Sequence, residues 1–248
     1  MVSFIWGAKM NLKENIVDII VPFYPTEQGY AKLEKLKQSL KDVDPGFPWR
    51  LVVAEANQSA ILNRNLGLRM SDTRYWVGVD DDVVFLEKDW LKKAMDKIKS
   101  DDKIGLIGFR SVNDKGETTN AGRIILNKEG VNCSVDTRRL MEKGENGDVD
   151  FDVKKDRPLN LVPGCCILID RLVAGFWAEK LYPGKVNCDD SDFMLQTQAN
   201  GFLVYYMGSI AVQHHYNDFE EKTKIYGLTD KDSINHVIFA KRWEIKTI

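Results

Sequence analysis

The sequence has no uninterrupted apolar run of the roughly 18 residues that a membrane span needs. Residues 1–21, MVSFIWGAKMNLKENIVDIIV, hold no basic stretch leading into a long apolar core. A soluble, cytoplasmic protein is therefore expected. Cysteine is scarce, at 4 in 248 residues, and there is no CxxC pair. Cys165 and Cys166 stand adjacent in VPGCCILID and read as small buried hydrophobes of a strand, which favours a reducing compartment. Neither sign of charge is in excess: 35 Lys and Arg face 37 Asp and Glu, a formal charge of −2. That balance gives no basic footprint for nucleic acid or an anionic membrane. Glycine is missing where a triphosphate-binding loop would need it, because PFYPTEQGYAK, after the first apolar run, holds only Gly29. No internal repeat and no linker interrupt the chain.

What is present is a chain with 44% hydrophobic residues, long enough to bury the core of one large domain. IVDIIVPFYP (16–25) is a short β-branched run stopped by prolines, as in a buried parallel strand. A helix is expected next, with Leu33, Leu36, Leu40 and Val43 on one face and the lysines on the other. RLVVAE (50–55) is a second strand; Ser59 caps a segment carrying Ile61, Leu62, Leu66 and Met70; YWVGV is a third strand. Asp89 opens DWLKKAMDKIK as a capped helix, and KIGLIGF is a fourth strand. This alternation predicts an α/β fold, a mostly parallel sheet flanked by helices. Further on, GRIIL, LNLVPGCCILID and FLVYYMGSIAVQHH read as strands and DDSDFMLQTQANGF as a helix closed at Asn200-Gly201. The polar stretch Lys143–Arg157 is expected to be a mobile loop.

Three aspartates, Asp80, Asp81 and Asp82, end the third strand. Ligands of open α/β sheets bind beyond the carboxyl ends of strands. On extended backbone Asp80 and Asp82 point one way and Asp81 the other, so two carboxylates converge, as a hard cation such as Mg²⁺ or Mn²⁺ requires. A solvated turn capping the next helix is the bland alternative. A second cluster, Asp189, Asp190 and Asp192, opens a helix, where capping accounts for one aspartate but hardly three. His214 and His215, two of the three histidines, end the strand IAVQ, and alternation allows one of them to reach a site at that strand end.

In order along the chain, VPFY, LNRNLGL, WVGVDDDVVF followed by DWL, VPGCCILIDR, GFWAE, CDDSDFMLQTQANGF and AVQHH resemble the motifs of GT-A glycosyltransferases, most closely the inverting, nucleotide-sugar-dependent family 2. The resemblance spans roughly residues 17–217. It implies one GT-A domain over 1–248, with a nucleotide-sugar-binding half (1–110), an acceptor and catalytic half (111–217) and a C-terminal tail (218–248). It further implies that Asp80, Asp82 and either His214 or His215, His214 being favoured, hold Mn²⁺ or Mg²⁺, and that Pro22, Tyr24, Glu55, Arg64, Asp80 and Asp81 serve the donor, with Arg64 on base or phosphate. Asp190 is the implied general base, with Asp189 orienting acceptor hydroxyls; Gly164, Trp177 and Asp192 face the acceptor, Trp177 either as an open aromatic platform for an acceptor sugar or, equally, as a core tryptophan. The chain departs from the family pattern in having Glu55-Ala56-Asn57-Gln58 after the second strand, Asp189 in place of Glu, and Trp177 in place of Asp.

The implied function is transfer of a sugar, by default from a UDP-sugar, to an acceptor hydroxyl with inversion. The acceptor could be a lipid-linked glycan, a polysaccharide, a protein or a modified nucleobase. Two other readings stay open: a sugar nucleotidyltransferase, against which the missing Gly-rich loop argues, and a catalytically silent carbohydrate-binding protein on the same fold, against which three retained charged clusters argue.

Overall fold

The structure, a computed structural model, describes residues 11–55, 59–128, 131–137, 151–173, 177, 181–182, 188–214 and 230–247. Among these, no helix is long and apolar enough to cross a membrane. The first half of the chain runs β1 (Val17–Phe23), α1 (Glu27–Asp42), β2 (Trp49–Glu55), α2 (Ala60–Met70), β3 (Tyr75–Val79), β4 (Val83–Phe85), α3 (Trp90–Lys99) and β5 (Ile104–Val112). The second half adds β6 (Thr118–Asn120), β7 (Arg123–Lys128), β8 (Val131–Asp136), β9 (Arg157–Pro158), β10 (Cys166–Asp170), α4 (Asp189–Ala199), β11 (Leu203–His214), α5 (Asp230–Trp243) and β12 (Ile245–Thr247).

The central sheet has nine strands, with the path β2-β1-β3-β10-β5-β11-β4 and with β6 and β9 paired to β5 and β11. β2, β1, β3, β5 and β11 all run one way, so the sheet is mixed but mostly parallel in its long strands. Side chains alternate between its two faces. Val17, Ile19, Val21 and Phe23 of β1 meet α1 and α3, whereas Ile20 faces α2 and α4. Both faces are covered, which is why these strands read as continuous apolar runs. The one charge in β1, Asp18, is fully buried and accepts two hydrogen bonds at 2.7 Å from Arg50, its register partner on β2.

Helix boundaries follow local chemistry. Thr26 and Ser59 cap α1 and α2, accepting from Gly29 N and Leu62 N. Gly67 lets α2 lie directly on β1, because a Cβ there would overlap the Ile20 side chain.

The structure departs from the sequence pattern in several places. Asp89 does not cap α3; it stands in the left-handed region at φ 58° with no side-chain cap bond. LNLV is not part of a strand, as only Cys166–Asp170 of LNLVPGCCILID pairs continuously. β10 enters antiparallel between β3 and β5, a long-range insertion that no local pattern announces. The residues after Asp82 form a separate strand, β4, antiparallel to β11. Residues 230–247, within the expected tail, form α5 and a strand that pairs in parallel with β8 in a second, three-stranded sheet. Of the expected mobile loop, 143–150 lies outside the described residues; beyond it Phe151 and Val153 are buried in the core.

Candidate active site

Three pieces of backbone converge here: the carboxyl ends of β3 and β11 and the segment that leads into β10. After β3 the chain does not stay extended but turns, and Val83 N donates to Asp80 O at 3.2 Å. The turn brings Asp80 and Asp82 together by a route other than strand alternation. β4 then pairs with β11 so that Val83 lies opposite His214, which delivers the imidazole to the turn from across the sheet. His214 Nε2 sits 3.2 Å from Asp82 Oδ1 and 3.8 Å from Asp80 Oδ2. One ligand atom from each of the three lies within 4.8 Å of the others. His215 lies outside the described residues.

Two carboxylates and one imidazole fit a divalent ion, and the mixed oxygen and nitrogen set suits Mn²⁺ better than the oxygen-preferring Mg²⁺. The electrostatics agree. Burial raises the pKa of Asp80 against the opposing pull of Arg64 and His214. At Asp82, burial is outweighed by the His214 bond and charge and by Lys32, so its pKa is lowered. Asp81, flanked by both, is pushed up to about 7 by burial first and by the charges of Asp82 and Asp80 next.

Behind this turn stands the second acidic cluster. Asp80 N donates to Cys165 O at 2.9 Å, and the preceding residue, Gly164, touches Asp190, whose carboxylate occupies the space a Cβ would need. The segment 164–165 thus holds the Asp80–Asp82 turn and the start of α4 side by side. Burial, then the charge of Asp189, pushes the Asp190 pKa up, with Arg64 opposing.

Arg64 joins the clusters. Its Nη2 donates to Asp80 Oδ1 at 2.9 Å and its Nη1 to Asp189 Oδ2, and its guanidinium lies 4.8 Å from the Trp177 ring centroid. Burial works to lower its pKa, but Asp189, Asp80 and Asp190 outweigh it and raise it. Both Nη atoms are thus engaged by carboxylates, and the side chain is buried. The next residue, Asn65, clamps Trp177: its Nδ2 donates to Trp177 O and its Oδ1 accepts from Trp177 N, each at 3.0 Å.

The surroundings of the other expected residues differ from one to the next. Trp177 is buried, stacked on Phe193 with ring centroids 4.4 Å apart, and so belongs to the core rather than to an open platform. Asp192 is 1% exposed and accepts from Trp243 Nε1 at 2.7 Å and from Arg242 and Gln196, which turns it toward α5. Pro22 and Tyr24 are half-buried at the end of β1, and the exposed Glu55 at the end of β2 accepts from Tyr30 Oη at 3.3 Å.

Sequence reasoning missed three contacts. Lys32 of α1, read as solvent-facing, reaches Asp82. Cys188 Sγ lies 3.1 Å from His236 Nδ1, and Trp243 reaches Asp192, so α5 is fastened to α4 at two points. Only the place of Lys32, next to the buried Leu33 and one turn after Gly29, hints at its inward reach.

A mostly parallel α/β sheet with an Asp-Asp-His group at its carboxyl edge defines a GT-A glycosyltransferase. The family model described as glycosyl transferase family 2 matches residues 26–171, and the chain belongs to that family. No curated protein matches it by sequence. Among solved structures it resembles GalNAc-T7 with UDP, GalNAc and Mn²⁺, at a TM-score of 0.61 and 11% identity over 93% of this chain. It spans about half of that protein, 48% of its length. It also resembles residues 1–349 of S. aureus TarS in complex with UDP, with a TM-score of 0.51 and 15% identity over 91% of this chain and 70% of the other.

Proposed function

We propose that this glycosyltransferase uses a UDP-sugar, holds a divalent cation on Asp80, Asp82 and His214, and transfers the sugar with inversion to an acceptor hydroxyl, Asp190 serving as general base. The single observation that carries this reading is the Asp-Asp-His group, with ligand atoms within 4.8 Å, set beside a carboxylate of raised pKa. UDP in the structures of GalNAc-T7 and TarS, and Mn²⁺ in that of GalNAc-T7, support the choice of nucleotide and ion.

A cation bound there would supply positive charge for the departing diphosphate. The chain's own residues do the rest. Glu55, Tyr24 and Pro22 border the place for the nucleoside at the ends of β2 and β1. Asp190 takes the proton from the acceptor hydroxyl as its oxygen bonds to the anomeric carbon and the bond from that carbon to the diphosphate breaks. One in-line displacement inverts the configuration, and no second carboxylate is needed as a nucleophile. A raised pKa suits this base, since proton uptake is most effective when the base's pKa lies nearer the working pH. Arg64 keeps Asp189 and Asp80 at fixed separation, so that base and cation site share one frame. Asp192 acts at a remove, anchoring α4 to α5.

The test is a donor-hydrolysis screen across nucleotide sugars with Mn²⁺, with Mg²⁺ and with chelator. Release of UDP from one UDP-sugar, greatest with Mn²⁺ and lost with chelator, is expected. Hydrolysis unaffected by chelator would contradict the cation site. Pyrophosphate-dependent formation of nucleoside triphosphate would point to a nucleotidyltransferase instead.

A further inference from the structure

Five carboxylates, Asp80, Asp81, Asp82, Asp189 and Asp190, crowd this centre, and among the described residues two permanent cations reach them, Arg64 and Lys32. The two are held very differently. Arg64 is locked between two carboxylates and under a ring. Lys32 makes one long contact, Nζ to Asp82 Oδ2 at 3.5 Å, from a side chain 18% exposed. Its backbone cannot drift: Thr26 caps α1, and Ser39 Oγ accepts from Phe85 N at 3.1 Å, pinning the helix to β4. The ammonium, by contrast, sits on a flexible four-carbon stem with three donors to redirect.

We propose that Lys32 is an exchangeable counter-charge of the donor site, neutralising Asp82 before a divalent cation is held and turning onto the donor's diphosphate once one is. The proposal rests on the donor reading above. Its physical basis is competition: an ammonium beside Asp82 opposes a second cation on the same carboxylate, and the ion that displaces it brings an anionic diphosphate within reach of the same side chain. A purely structural ion pair would instead serve to hold Asp82 in place.

Calorimetry on Lys32→Met and Lys32→Arg separates the two roles, with Mn²⁺ alone in one arm and UDP at saturating Mn²⁺ in the other. Lys32→Met keeps most of the length and the helix propensity of the side chain, and Lys32→Gln repeats the arm should Met disturb packing. Removing the charge is expected to tighten Mn²⁺ binding about threefold and to weaken UDP about tenfold, the usual size of a charge-assisted hydrogen bond to phosphate. Lys32→Arg should keep UDP affinity within about threefold. Weaker Mn²⁺ binding in Lys32→Met, or unchanged UDP affinity, would overturn the proposal. Failure of the donor reading has its own signature, a wild-type chain that binds neither Mn²⁺ nor UDP, and that result also removes the exchange.

Discussion

The turn at Asp80–Asp82 and the helix start at Asp189–Asp192 each carry three aspartates, yet the structure uses them in opposite ways. On the turn, Asp80 and Asp82 converge on His214, and the ligand atoms form one compact group. On α4, successive side chains diverge by about 100°, so the three go separate ways. Asp189 goes to Arg64, Asp190 sits against Gly164 at the sheet edge, and Asp192 turns back to Trp243. On the proposed reading, a turn gathers charge for a cation and a helix distributes it among a brace, a base and an anchor. The same residue type therefore predicts different losses on substitution, according to the backbone that presents it.

The largest loss is expected at Asp190. Asp190→Asn should reduce transfer by roughly two to four orders of magnitude while leaving UDP affinity intact; steady-state rates with the acceptor are the measurement. The wild-type rate should fall as pH drops through the raised pKa of Asp190, because a protonated carboxyl cannot accept the acceptor's proton. That acid limb should be absent from the residual activity of Asp190→Asn. Near-normal turnover in the variant would reduce Asp190 to a helix-end residue and merge the two clusters in kind.

Gly164→Ala sharpens the comparison without removing any charge. A methyl group there must displace the Asp190 carboxylate, and a shift of about 1 Å in a reacting group can cost on the order of a hundredfold in rate. The expected pattern is a fall in kcat with UDP affinity within a few-fold. A fall in UDP binding alone would place Gly164 on the donor side.

Asp192 should behave differently again. Asp192→Ala leaves the Trp243 indole without its acceptor and Arg242 without its partner, and is expected to cost about 3 kcal/mol of stability, read from urea denaturation. UDP affinity of the folded variant should be unchanged. Unaltered stability with lost activity would return Asp192 to the acceptor side.

Much of this architecture was legible in the sequence because it is local. The apolar runs of β1 and β3, the heptad-like leucines of α1 and the capping serine of α2 each carry their own signal within a few residues. The family motifs also pointed to Asp80, Asp82 and His214 as one group, which the structure brings together. What stayed hidden is non-local. Nothing near Cys166 says that its strand will run antiparallel between β3 and β5. Nothing near Asp82 says that VVF will leave the strand before it and pair with β11. Lys32 looked like any lysine on the polar face of α1, since helical periodicity marks the buried stripe but not what stands at its flank. Asp89 satisfied the composition rule for a cap and failed its geometry: it stands in the left-handed region, its N–H donates to Asp44 O, and its side chain lies against Gly46.

The division of labour between turn and helix can be tested in one paired experiment, UDP titrated into Asp82→Asn and Asp190→Asn at the same Mn²⁺ concentration by calorimetry. Loss of one anionic ligand from a three-ligand site should lower Mn²⁺-dependent UDP affinity of Asp82→Asn by about a hundredfold, while Asp190→Asn binds as the wild type does. Equal affinity in the two variants, whether both retained or both lost, would contradict the account.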